Sequence, residues 1–171
     1  MNGHSREDVP PGSRQEELTP PILEMLLALP IFQGIGPDDL RALESHFKVM
    51  DLRAGETVFR EGSLGNYLCF VASGGLDVLK SVESGSDVVL STIREGRSIG
   101  EMSIVDEFPR SATVKARTDA TLVILTRGDF ERISAERPDL GFQILKGLAR
   151  LLSMNLRKTS ARLADYMLPL S

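Results

Sequence analysis

Glu101 and Arg110, nine residues apart in a chain of 171, form the pair whose chemistry is most legible in this sequence. A phosphodiester carries one negative charge on two exocyclic oxygens. The rigid two-donor fork of an arginine matches that geometry better than the point charge of a lysine. Arg110 is therefore the candidate phosphate clamp, and Ser111 adds a hydroxyl beside it. A carboxylate is poorly placed near a phosphate unless it turns toward a donor, and a ribose 2′-hydroxyl is such a donor. Glu101 reads as the sugar contact. Gly100 precedes it, and its missing side chain lets the backbone approach a ligand closely. Met102 to Phe108 is expected to form a short helical turn whose starting amides favour an anion. Pro109 then fixes the direction in which the chain reaches Arg110.

These residues need a scaffold, and the rest of the chain supplies one of mainly β type with flanking helices. Between about residues 47 and 126, short β-rich runs alternate with glycine-bearing turns. The runs are Thr57 to Phe59, Tyr67 to Ala72, Leu76 to Lys80, Val88 to Ile93, Ala112 to Ala116 and Thr121 to Leu125. Ser84-Gly85-Ser86 reads as a hairpin tip. Gly55, Gly62, Gly65, Gly74, Gly85 and Gly96 are expected to supply positive φ at turns. Ile22 to Leu29 is apolar and helical, and a second helix starts at Pro37 with Asp38 and Asp39 at its positive end. Leu40, Leu43 and Phe47 are expected to form its buried stripe. Thr126 is placed to cap a further helix, with Asp129 in its first turn. The Arg127-Gly128-Asp129 tripeptide found there carries no weight as an adhesion signal.

A long helix is predicted from Pro138 to Met167. Two apolar stripes are expected, Ile144, Leu148 and Leu151 packing on the barrel and Leu145, Leu152, Leu156 and Leu163 meeting a second copy of the chain; the alternative is a single wide core-facing stripe on a monomer. Residues 1–18, polar and bearing Pro10-Pro11-Gly12-Ser13, read as a disordered tail, and residues 19–168 as one domain that includes the C-terminal helices.

Composition narrows the functional classes. A net charge of −4 and a pI near 5.3 argue against nucleic-acid binding. Two histidines and a single cysteine, Cys69 in an apolar run, give neither a metal-ligand set nor a nucleophile with its base. No enzyme is expected. The first twenty residues hold no apolar run, and no segment reaches membrane-spanning length, so a cytoplasmic protein with no membrane partner is expected.

The stretch Ser98-Ile99-Gly100-Glu101-Met102-Ser103-Ile104, with Pro109-Arg110-Ser111-Ala112-Thr113-Val114, resembles the phosphate-binding cassette of the cyclic nucleotide-binding domain family. That family includes bacterial cAMP-receptor transcription factors, protein kinase A regulatory subunits and nucleotide-gated channels. Leu29 to Leu40, Ala54 to Gly62 and Phe70 to Gly74 resemble its helical entry, early strand pair and later strand end. Three departures from the pattern are Ile99, where an aromatic residue is frequent, Asn66, where an aspartate is frequent, and Gly75.

The resemblance implies an antiparallel β-roll or jelly-roll barrel with N-terminal helices, a short phosphate-binding helix and a long C-terminal helix. It implies a ligand site of Gly100, Glu101, Met102, Ser103, Arg110, Ser111 and Ala112, with Asn155 of the long helix over the base. The implied ligand is cAMP, with cGMP as the other candidate, and no further cofactor is expected. Ser111 favours cAMP, because cGMP-selective relatives often place a threonine there. Phosphate binding is expected to draw Met102 to Val105 toward the barrel and let the helix beginning near Thr126 move. The expected function is a stand-alone sensor that signals to an unknown protein partner, with homodimerisation through the last helix. DNA binding is not expected of this sequence. The alternative is a scaffold protein that keeps the fold and answers to a partner rather than to a nucleotide.

Overall fold

The computed structural model describes residues 10–82 and 85–167. Helix α1 (Pro20–Ala28), a tight turn at Pro30–Phe32, α2 (Pro37–Ala42) and a second tight turn at Glu44–His46 lead into the strands. These are β1 (Phe47–Leu52), β2 (Thr57–Phe59), β3 (Tyr67–Ser73), β4 (Gly75–Ser81), β5 (Asp87–Arg94) and β6 (Ser98–Ile99). The short helix α3 (Met102–Val105) separates them from β7 (Thr113–Ala116) and β8 (Ala120–Thr126). Helices α4 (Arg127–Glu136) and α5 (Pro138–Met167) close the chain.

The strands form two antiparallel four-stranded sheets, ordered β1-β8-β3-β6 and β2-β7-β4-β5. The first sheet is buried on both faces, which explains why β3 and β8 read as nearly unbroken apolar runs. Alternate side chains divide between two cores. Leu68, Phe70, Val123 and Leu125 face the helices, whereas Cys69, Val71, Leu122 and Ile124 fill the space between the sheets. Phe32, Phe47 and Phe70 meet in the helical core with ring centroids 5.3 to 6.4 Å apart, joining the turn before α2 to β1 and β3. Truncating one of these rings to alanine costs about 3 to 5 kcal/mol.

The long helix is seated by a glycine. A Cβ on Gly147 would collide with the Ile31 backbone, so α5 rests directly on the turn Pro30–Phe32. Ile144 and Leu148 are fully buried beside it. Leu151 packs at the edge of the same core, as expected of that stripe.

Three expectations need correction, and one strand was not foreseen. Phe47 does not continue the stripe of α2, which ends at Ala42; it opens β1, whose pairing with β8 over six residues decides the conformation. The two-residue strand β6 gave no sequence signal, and it exists through pairing with Cys69 and Phe70. Residues 10–18 are not a free tail. Arg14 pairs backbone to backbone with Val49, Gln15 donates to the Phe47 carbonyl at 2.9 Å, and Leu18 is 3% exposed. β1 lies at a sheet edge, and its unpaired backbone groups recruit this segment. Residues 1–9 lie outside the described residues, as does Ser84 of the expected hairpin tip, although Gly85 has φ +79°. Lastly, Gly55, Gly62, Gly74, Gly85 and Gly96 have positive φ, but Gly65 does not. Its purpose lies in the site.

Among the described residues, no helix is long and apolar enough to cross a membrane.

Candidate functional site

Strand β6 ends at Ile99, and Gly100, with a φ of +86°, turns the chain sharply before α3. This turn holds Glu101 at 9% exposure, with Ser98 Oγ donating to its Oε1 at 2.6 Å. The helix is shorter than the sequence suggests, because the chain is already extended at Asp106. It returns through Pro109 to Arg110, where Gly62 N donates to Arg110 O and Arg110 N to Ser63 O, both at 2.8 Å. This backbone pairing holds Arg110 against the turn that follows β2.

Arg110 is 5% exposed. Its guanidinium lies 3.9 Å above the Phe59 ring and 4.7 Å from the Tyr67 ring. One terminal nitrogen donates to the Tyr67 carbonyl at 2.8 Å, and the other lies 3.5 Å from the Gly100 carbonyl. Its Nε is buried with no hydrogen-bond partner. No carboxylate lies within ion-pair distance of Arg110 among the described residues. Burial lowers its pKa from the ordinary value, the sign of a cation held out of water. Tyr67 is a fixed platform beneath it: burial pushes the phenol up to about 12, and the neutral hydroxyl donates to the Val58 carbonyl at 2.8 Å.

The glycines around Arg110 are spatial requirements. A Cβ on Gly65 would strike both Arg110 and Ser103, and one on Gly100 would strike Arg110. Gly65 thus belongs to the site.

Seven of the eight residues expected from sequence line a single cavity of about 170 Å³: Gly100, Glu101, Met102, Ser103, Arg110, Ser111 and Ala112. Ser103 is buried, Met102 is 53% exposed at the rim, and Ser111 is exposed, with its carbonyl accepting from Lys80 Nζ at 2.9 Å. Asn155 is not in that cavity. It lines an adjoining one of about 670 Å³ between β5 and α5, which also touches Glu101 and Ser111.

The family model for the cyclic nucleotide-binding domain matches residues 49–137. The chain belongs to the cyclic nucleotide-binding domain family. It is 32% identical over 144 residues to the CRP-like cAMP-activated global transcriptional regulator of Mycobacterium tuberculosis, covering 84% of this chain and 62% of that protein. It is 31% identical to the cyclic AMP receptor protein of Thermus thermophilus, covering 78% of this chain and 60% of that one. The chain thus spans about three fifths of the length of these curated relatives. Among solved structures, a cyclic nucleotide-binding domain from Methylobacillus flagellatus superposes with a TM-score of 0.76 at 27% identity, covering 85% of this chain and 82% of that one. The shared architecture is the β-roll with flanking helices and a long C-terminal helix.

Within this cyclic nucleotide-binding domain, Arg127 is a structural residue that sequence reasoning missed. Its guanidinium donates to the Ser103 carbonyl from Nε at 3.0 Å and from a terminal nitrogen at 2.6 Å, and further to the carbonyls of Asp106 and Gly65. It also pairs with Glu107 at 3.2 Å. Arg127 is the first residue of α4, so one side chain joins that helix to α3 and to the loop beside Arg110. The only available signal was its position after the cap Thr126, whose side chain accepts from Asp129 N at 3.0 Å.

Proposed function

We propose that this chain is a cyclic nucleotide-binding regulatory module. Arg110 holds the cyclic phosphodiester, Glu101 accepts from the ribose 2′-hydroxyl, and occupancy is transmitted through α4 and α5. The carrying observation is Arg110: a buried guanidinium with an unpartnered Nε, lining a cavity, with no carboxylate in ion-pair contact among the described residues. A buried charge without a counter-ion is costly, and a ligand phosphate supplies the missing anion. Gly65, Phe59 and Tyr67 hold the fork in place before the ligand arrives.

Transmission follows from the differential affinity of the ligand for two arrangements of the helices. Ligand drawn into the cavity moves α3, and Arg127 carries that movement to α4. A protein partner that reads α5 is the natural recipient of the signal, and a second copy of this chain on the exposed stripe of α5 is proposed as well. Ser111 rather than threonine supports cAMP over cGMP as the cyclic mononucleotide.

Calorimetric titration with cAMP, cGMP and linear AMP tests the reading on the parent and on Arg110→Ala. Saturable binding of a cyclic ligand, absent for linear AMP and lost in the variant, is the expected result. A folded Arg110→Ala protein that binds as tightly as the parent would show that the site is assigned wrongly.

A further inference from the structure

The ladder between β4 and β7 ends at Leu79 and Thr113, so strand pairing does not fix the peptide that links Ser111 to Ala112. A side chain takes over there. Lys80, the next residue of β4, donates from Nζ to the Ser111 carbonyl at 2.9 Å and also pairs with Glu61 of the loop after β2. Glu61 is held in turn: its second carboxylate oxygen accepts from Ser81 N at 3.4 Å, and its own N–H donates to Thr113 Oγ1 at 2.9 Å. The bond from Lys80 keeps the Glu61 carboxyl below its ordinary 4.5, so the pair is charged at neutral pH. Both side chains are partly exposed, at 44% for Lys80 and 29% for Glu61, and an ion pair so placed adds little to stability. Its consequence is directional.

A trans peptide is planar, and its C=O and N–H point opposite ways. The Ser111 carbonyl points to Lys80, which lies outside the lining of the phosphate cavity, whereas Ala112 belongs to that lining. The N–H of the same peptide, that of Ala112, therefore points away from Lys80 and toward the cavity. Among the described residues this N–H has no hydrogen-bond acceptor. We propose that Lys80 is a positioning residue for the ligand: by holding the Ser111 carbonyl outward, it aims the Ala112 N–H at one exocyclic oxygen of the cyclic phosphate. Arg110 supplies the counter-charge, and the clamp of Lys80 and Glu61 orients a second donor. An amide whose carbonyl is bonded to an ammonium is also a stronger donor, because linked hydrogen bonds polarise one another. This inference rests on the reading of Arg110 as the phosphate clamp given above.

The test is calorimetric titration of the full chain, at low and at high salt, with cAMP, cGMP and the two phosphorothioate diastereomers of whichever binds tighter. Each diastereomer carries sulfur, a weak acceptor, in place of one exocyclic oxygen. Lys80→Met keeps an unbranched stem and removes both bonds. It is expected to stay folded and to lose about fivefold in affinity, the worth of one oriented hydrogen bond. Lys80→Arg, which can make both bonds, is expected to recover most of that loss. The loss should persist at high salt, where attraction by an exposed charge is screened, and should nearly vanish for the one diastereomer whose sulfur faces Ala112. Equal losses for both diastereomers, or a loss that disappears at high salt, would make Lys80 a bare charge and overturn the inference. Unchanged affinity in a folded Lys80→Met protein overturns it as well. In each of these cases the proposed function stands, provided Arg110→Ala still abolishes binding. A folded parent that binds neither cAMP nor cGMP overturns the proposed function and the inference together. Should Lys80→Met misfold, Glu61→Gln, which loosens the ammonium without removing it, decides the question through the same comparison of diastereomers.

Discussion

A buried cation with no ion-pair partner is a standing cost in the unliganded chain, and Arg110 carries that cost. Arg110→Met keeps an unbranched side chain over Phe59 and Tyr67 while removing the charge. The variant is expected to match or exceed the thermal stability of the unliganded parent. Its affinity for cyclic nucleotide should fall by a factor corresponding to roughly 2 to 5 kcal/mol. Thermal melts with and without ligand check both halves. A melting temperature clearly below that of the parent would mean that the contacts of Arg110 with Tyr67 outweigh its desolvation. Glu101 is separable from it. Glu101→Gln keeps an acceptor oxygen and loses the charge that strengthens a hydroxyl hydrogen bond. A 2′-deoxy ligand should lose affinity on the parent and much less on Glu101→Gln. Equal losses in a titration of both proteins would remove the sugar contact from Glu101.

At the scale of elements, α4 is anchored at both sides of its first turn. Arg127→Ala changes no side chain that lines the phosphate cavity but removes the bonds to the carbonyls of Ser103, Asp106 and Gly65. Ligand affinity is expected to change by less than about threefold, while ligand-induced protection of α4 amides in hydrogen exchange is lost. Retained protection in that variant would place the coupling elsewhere. The opposite anchor is Asp129, whose side chain is 2% exposed and bonded to Lys48 at 2.8 Å. Burial by itself would raise its pKa, but bonds from Lys48, Thr126 and Arg132 outweigh burial and hold it below the ordinary 3.8. A carboxyl depressed in the folded state adds stability that is complete above its unfolded pKa and is lost as pH falls through the folded one. Asp129→Asn should therefore cost about 3 kcal/mol at neutral pH. In denaturant titrations the gap to the parent should shrink below about pH 4.

On the scale of the whole molecule, α5 is two helices in one. Its first half is buried against the turn Pro30–Phe32, and its second half leaves Leu156 at 68% and Leu163 at 58% exposure. Leu145, at 46%, extends the same uncovered stripe. The stripe is the proposed contact with a second copy. Light scattering is expected to give a dimer for the parent and a monomer for Leu156→Glu with Leu163→Glu, with the nucleotide titration curve nearly unchanged. A monomeric parent at micromolar concentration would leave this face to a different partner.

Local chemistry made much of this protein legible in its sequence. The alternation of β-rich runs and glycine turns located six of the eight strands, Thr126 and Asp129 marked the start of α4, and Glu101 and Arg110, singled out by their chemistry, line one cavity. These signals depend on propensity, periodicity and functional groups, which each residue carries with it. The tertiary structure alone decided where distant backbone groups meet. It turned Phe47 into a strand, made β6 from two residues, and drew residues 10–18 onto the edge of β1. It also gave Gly65 its purpose, because only the fold brings Arg110 against that backbone. Arg127 belongs to the same class. Its meaning lies in carbonyls from elements far apart in the chain, and no local pattern encodes those distances.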